Sequence, residues 1–222
     1  MKSSKVTNII FEGLDNTGKS SIIKYLQAKF PSNIIVFKEP SNIEGANGII
    51  LNLRDFLFAN EQDLSFDTRS VFHILSHMLH QNYIKNALQK GLIDKDKHFI
   101  LFDRSFISGL VYDLFFQNPT KANRNFLFET TSDVFLIPDL IVYVYTKDNI
   151  PLNDKIANHY DQIFSDMTNR NRLHLIYVEI LFKIKSKSNI KTFYLENIKG
   201  VDFDNNTDIK CLIDTYFSPN LD

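Results

Sequence analysis

The chain has 222 residues, 44% hydrophobic and 23% charged, enough for one sizeable core and too apolar for disorder. Lys and Arg total 25 and Asp and Glu total 26, a net charge of −1, so no overall positive field exists to hold a nucleic-acid polymer by its phosphates. The single Cys211 excludes an intramolecular disulfide framework, no apolar run approaches the roughly 20 residues of a membrane span, and the polar N-terminus reads as no signal peptide; the cytoplasm is the expected compartment.

Residues 6–11 are apolar and β-branched and predict a buried strand that runs into a glycine-containing turn. Ile22, Ile23, Leu26 and Phe30 recur at helical spacing, which predicts a helix over 19–30 ended by Pro31. A second strand follows at 33–37, then helices at 48–59 and 67–90, the longer one with Asp67 as its expected N-cap and Gly91 as its stop. A third strand at 98–102 leads into Asp103-Arg104 and a helix over 105–116. Residues 123–135 predict a further helix, 140–145 a fourth strand, 168–184 a helix, 192–195 a fifth strand and 207–217 a last helix. The polar stretch 147–166 is the least regular and reads as a lid on a single domain spanning the chain. Strands alternating with helices predict the α/β three-layer class, a five-stranded parallel sheet with helices on both faces. Right-handed crossovers then gather the strand-to-helix loops, and any ligand, at one sheet edge.

Glycine is scarce, with 7 in the chain, yet Gly13 and Gly18 fall within one eight-residue run. Gly13-Leu14-Asp15-Asn16-Thr17-Gly18-Lys19-Ser20 fits G-x-x-x-x-G-K-[ST] between a predicted strand and a predicted helix. Glycines let the backbone curl so that successive N–H groups face an anion, and the helix N-terminus adds its dipole. The loop with Asn16, Thr17, Ser20 and Ser21 is the expected triphosphate site. Lys19 can reach the terminal phosphates, and Ser20 can hold Mg²⁺. Asp103, at the end of a neighbouring strand, is the expected carboxylate for the same ion.

The run Phe11-Glu12-Gly13 through Ser20 resembles the F-E-G-x-D-G-x-G-K-[ST] opening of thymidylate kinases. Lys38-Glu39-Pro40 is similar to their R-E-P. Residues Asp103 to Tyr112 resemble D-R-[YS]-x-x-S-G-x-A-[YF], and Ile137 to Tyr143 resemble L-P-D-L-x-I-Y. The resemblance spans about residues 5 to 165. It implies the P-loop NTPase fold, ATP and Mg²⁺ as cofactors, thymidine monophosphate as acceptor and a homodimer. It implies that Arg104 and Lys38, with Glu39 and Ser108 close by, grip the acceptor phosphate. Asp15 would lie between acceptor and donor, and Tyr112 would pack beneath the deoxyribose. Lys38 stands where the family has Arg. His77 stands where it has an Arg that contacts thymine, with Phe72 or His73 one turn earlier to stack on the base. Asn16 and Thr17 are uncharged, so the catalytic arginine of the family falls to the lid, which offers Lys147 and Lys155, or to Arg170 or Arg172 after it. Asp161 resembles a lid aspartate, with Phe164 replacing the glutamate that follows it. Zinc at His73, His77 and His80 is not expected, because no Glu follows His73 and no Cys completes a site.

Two alternatives stay open at this level. Deoxynucleoside kinases share D-R-S and E-P motifs and would use Glu39 as general base on a 5′-hydroxyl. A catalytically silent nucleotide-binding paralogue is the other, suggested by the missing arginines.

Overall fold

Strands that read as unbroken apolar runs, not as alternating ones, belong in a sheet covered on both faces. The computed structural model, which describes residues 7–38, 56, 59–60, 63–91, 98–117, 138–152 and 162–220, has such a sheet. Its five strands are β1 (Thr7–Glu12), β2 (Ile34–Lys38), β3 (Phe99–Asp103), β4 (Leu140–Tyr145) and β5 (Lys191–Glu196). They lie in the order β2-β3-β1-β4-β5, every pair parallel. All five strands fall within one residue of their expected bounds. The interior β3 is buried throughout, whereas the edge strands β2 and β5 are only partly buried.

Side chains of a strand alternate between faces, and each face has its own helices. On one, Ile9, Phe11, Leu101, Val142 and Val144 pack against α1 (Lys19–Lys29) and the C-terminal α5 (Thr207–Leu212), which runs on through a π turn at Ile213–Phe217. On the other, Ile10, Ile100 and Phe102 meet Ile84 and Ala87 of α2 (Phe66–Gln89). Beside them Ile141 and Tyr143 meet Leu110 and Leu114 of α3 (Phe106–Gln117) and Leu173, Tyr177 and Ile180 of α4 (Met167–Lys187).

The helix starts show where local chemistry differs from the expectation. Ser65, not Asp67, caps α2: its hydroxyl accepts from the Thr68 N–H at 3.3 Å, and Asp67 lies in the first turn, where its charge favours the helix dipole. Asp166 caps α4 by accepting from the Thr168 N–H at 2.7 Å. The irregular stretch after β4 opens with a 3₁₀ turn at Lys147–Asn149. The helices expected at 48–59 and 123–135, and lid residues 153–161, lie almost wholly outside the described residues. Among the described residues no helix is long and apolar enough to cross a membrane.

Parallel pairing brings the carboxyl ends of the strands level, Lys38 beside Asp103, Phe11 beside Asp103 and Glu12 beside Tyr143. Cross-loop bonds then stitch the edge together: Arg104 N–H to Phe11 O at 3.0 Å and Asn197 N–H to Tyr145 O at 2.8 Å. Gly13 shows how tight this edge is. Its φ is 140°, and a Cβ there would lie 2.1 Å from the Val144 carbonyl oxygen. Gly13→Ala is expected to cost about 2–3 kcal/mol, lowering Tm by roughly 5–10 °C; differential scanning calorimetry of the variant reads it.

Candidate active site

The loop between β1 and α1 is held from outside by its carbonyls. Asp15 O accepts from Arg170 Nη2 at 3.0 Å, Asn16 O from the Leu152 N–H at 2.8 Å, and Thr17 O from Asn197 Nδ2 at 2.9 Å. In a planar trans peptide the C=O and the following N–H point to opposite sides. Pinning these three carbonyls therefore turns the N–H groups of Asn16, Thr17 and Gly18 the other way, toward an anion. They join the N–H groups of Lys19 and Ser20 at the start of α1, while the Ser21 N–H turns to Gly18 O at 3.1 Å. Gly18 caps that helix in the left-handed region at φ 86°, and Asn16 shares that region at φ 59°. A Cβ on Gly18 would meet Asn197 Nδ2 at 2.2 Å.

Lys19 is 5% exposed and folds back on the loop, its Nζ donating to Leu14 O at 2.6 Å and Gly13 O at 3.0 Å. Burial and the neighbouring Arg104 charge lower its pKa to about 7. Thr17 Oγ1 donates to Leu14 O at 2.9 Å and closes the turn.

Arg104 is the hub of a polar layer beneath this cradle. Its Nη2 pairs with the Asp15 carboxylate, and its Nη1 donates to Ser108 Oγ at 2.9 Å and to Tyr177 OH and Gly13 O at 3.3 Å. Tyr112 OH donates to the other Asp15 oxygen at 2.5 Å, and the Arg104 guanidinium lies 5.8 Å from the Tyr112 ring centre. Burial alone would raise the Asp15 pKa, but Arg104 and Lys19 override it and hold the carboxyl at about 2. Under this layer Glu12 is fully buried and accepts from Ser108 Oγ at 2.6 Å and Ser105 Oγ at 2.7 Å. Burial pushes its pKa up, against the pull of Arg104.

Ser20 Oγ donates to Asp103 Oδ2 at 2.6 Å. A hydroxyl and a carboxylate side by side are hard oxygen donors, the set Mg²⁺ takes alongside water and phosphate oxygens. Among the described residues no cluster of three or more His, Cys, Asp or Glu side chains could hold a metal. Such a cluster is not needed when phosphate completes the shell, so the residues present fit the ion.

Thus Gly13, Asp15 to Ser20, Asp103, Arg104, Ser108 and Tyr112 lie together at this edge. Ser21 is exposed on α1, and Lys38 is exposed at the end of β2, opposite Asp103 in register. Glu39, Lys155 and Asp161 lie outside the described residues. Phe72 packs on Phe56, ring centres 5.3 Å apart. His77 is buried between α2 and α3, and a Cβ on Gly109 would lie 3.0 Å from its Nε2. Beside it His73 Nε2 faces Asp113 Oδ1 at 3.6 Å, with its pKa lowered to about 3 by burial and the nearby His77 and Arg69 charges. The space left at this crossing is about 10 Å³, the room of one water at most. Arg172 turns to α3, donating to Phe115 O at 3.3 Å.

Sequence reading assigned nothing to Glu12, Tyr177 or Asn197. A charged residue closing an apolar strand was a usable signal for Glu12. Tyr177 reads as one more apolar position of a helix face, and Asn197 carries no local signal.

A parallel sheet that presents a phosphate cradle, a buried lysine and a hydroxyl–carboxylate pair at one edge defines a P-loop phosphotransferase. Residues 11–199 match the thymidylate kinase family model. The chain is 27% identical over 200 residues to the thymidylate kinase of Campylobacter concisus, covering 87% of this chain and 92% of that one. To the thymidylate kinase of Campylobacter hominis it is 28% identical over 205 residues, covering 90% and 93%. Its fold is similar to the crystal structure of thymidylate kinase from Ehrlichia chaffeensis, with TM-score 0.54 and 18% identity over 86% of this chain and 91% of the other. The chain belongs to the thymidylate kinase family and is a phosphotransferase.

The Lys19 environment has a pH consequence. A phosphate needs the ammonium form, and kcat/KM reports the free enzyme. With the free-enzyme pKa at about 7, kcat/KM for ATP is expected to fall about tenfold per pH unit above that value. By contrast kcat should stay level to higher pH, because bound phosphate charge raises the lysine pKa again. Steady-state profiles from pH 6 to 10 check both.

Proposed function

We propose that this enzyme transfers the γ-phosphoryl group of ATP to thymidine monophosphate, giving thymidine diphosphate and ADP. The family membership supports this reading, and the observation that carries it is the clamped cradle with Asp15, Arg104 and Tyr112 directly beside it.

An acceptor phosphate is already anionic at neutral pH, so its oxygen attacks the γ-phosphorus without a general base. The bond from that phosphorus to the β,γ-bridging oxygen breaks, and the leaving charge remains on ADP. Catalysis then rests on alignment and neutralisation. The loop N–H groups and Lys19 hold the donor phosphates. Mg²⁺ held by Ser20 and Asp103 supplies charge neutralisation on the phosphate oxygens when bound. Arg104 faces the acceptor phosphate, aided by Lys38. Asp15 keeps Arg104 oriented, and Tyr112 disfavours a 2′-hydroxyl on the acceptor sugar. Glu39, Phe72 and His77 belong to the acceptor side in this reading. At the crossing of α2 and α3 a base requires the two helices to move apart, given the space of about 10 Å³ there. A homodimer is part of the same reading, supported by Val71 and Leu75, apolar and exposed one turn apart on α2.

ADP release measured with ATP and Mg²⁺ against deoxynucleosides and their monophosphates tests the acceptor. Turnover on thymidine monophosphate is expected. Turnover on nucleosides alone would replace the reading with a nucleoside kinase, and ATP binding without turnover with a silent nucleotide binder. Lys19→Ala is expected to lower kcat by about 10³-fold with circular dichroism unchanged. Asp103→Asn should raise the Mg²⁺ concentration for half-maximal rate by roughly tenfold or more, read from a magnesium titration.

A further inference from the structure

Arg170 is among the largest side chains that are fully buried, 2% exposed, in the first turn of α4. Among the described residues its guanidinium meets carbonyls and no carboxylate: Asn149 O at 2.7 Å, Asp15 O at 3.0 Å and, more distantly, Phe164 O at 3.5 Å. Those carbonyls belong to three separate segments, the turn after β4, the phosphate loop, and the residues just before α4. A buried cation with no carboxylate in hydrogen-bond reach costs stability. Burial lowers its pKa, against the pull of the nearby Asp15 charge. An apolar side chain here would leave one buried and two part-buried carbonyls without this donor, and a lysine has no planar fork to reach them together.

The Asp15 carbonyl is the telling partner. The peptide it belongs to also carries the Asn16 N–H on its opposite side, and the Asp15 side chain holds Arg104 and Tyr112. Tilting that one peptide would move a phosphate donor and a charge pair together.

We infer that Arg170 is a positioning residue for phosphoryl transfer: by holding the Asp15 carbonyl it aims the Asn16 N–H at the donor phosphates and keeps the Asp15 carboxylate between Arg104 and Tyr112. This assigns Arg170 to the frame of the site rather than to contact with the transferring group. The inference rests on ATP being the donor at this loop.

The test compares wild type, Arg170→Met and Arg170→Lys in the full chain by ADP calorimetry, by KM for ATP and for acceptor, by kcat and by Tm. For Arg170→Met, ADP affinity should fall about tenfold and kcat/KM for ATP about a hundredfold. KM for the acceptor should rise as well, by about threefold or more, because Asp15 also carries the carboxylate that keeps Arg104 and Tyr112 in place. Arg170→Lys should recover part of the loss. A lowered Tm with ADP affinity and kcat/KM for ATP as in wild type would overturn the inference, leaving Arg170 a purely structural strut. If Arg170→Met does not fold, Arg170→Lys decides alone: weakened ADP binding supports the inference and wild-type binding overturns it. ADP affinity is read without turnover. A wild-type enzyme that binds ADP but is idle on thymidine monophosphate would end the functional reading and leave this comparison standing.

Discussion

The orientation of three peptide planes, at Asp15, Asn16 and Thr17, is the constraint on which the site depends. Each plane is fixed through its carbonyl, and each donor comes from a different part of the chain: Arg170 from α4, Leu152 from the stretch after β4, Asn197 from the loop after β5. A short glycine-containing loop would otherwise sample many conformations, since glycine carries the largest backbone entropy to lose on folding. The clamps remove that freedom before any ligand arrives, so the N–H groups need no reorganisation when charge moves. The left-handed backbone of Asn16, costing roughly 1 kcal/mol, is tolerated because the residues around it leave that peptide no other arrangement.

Charge follows from the same geometry. Arg104 lies close enough to disfavour the Lys19 proton, while Asp15 favours the protons of both. Glu12 is buried and bonded by two serine hydroxyls, and burial raises its pKa against the pull of Arg104. Triphosphate charge beside Lys19 would favour its ammonium form, which makes ligand binding and lysine protonation two sides of one linkage. Ser108 and Tyr177 serve this arrangement indirectly, holding Arg104 from beneath and fixing it to Glu12.

Regular elements were legible to within a residue for the strands because a buried parallel strand is apolar along its length and flanked by turns. The phosphate loop was legible because glycine spacing, a lysine and a hydroxyl must sit together in sequence to meet one group. His77 and Phe72 were harder. Their place on a helix follows from spacing, but what they face depends on how α2 crosses α3, and Gly109 lets that crossing come close enough to bury His77. Ser65 displaced Asp67 as a cap because a single backbone turn decides which hydroxyl or carboxylate meets the free N–H groups.

The amino-acid order by itself determined the α/β class, the five strands, the cradle and the placing of Ser20 and Asp103 at one sheet edge. These depend on local periodicity and on residues that parallel packing brings level at strand ends. Only the tertiary structure decided that Arg170 and Asn197 act on the cradle. They lie 155 and 180 residues from their partners in the loop, and a hydrogen bond to a backbone carbonyl requires no particular partner side chain that a sequence could display.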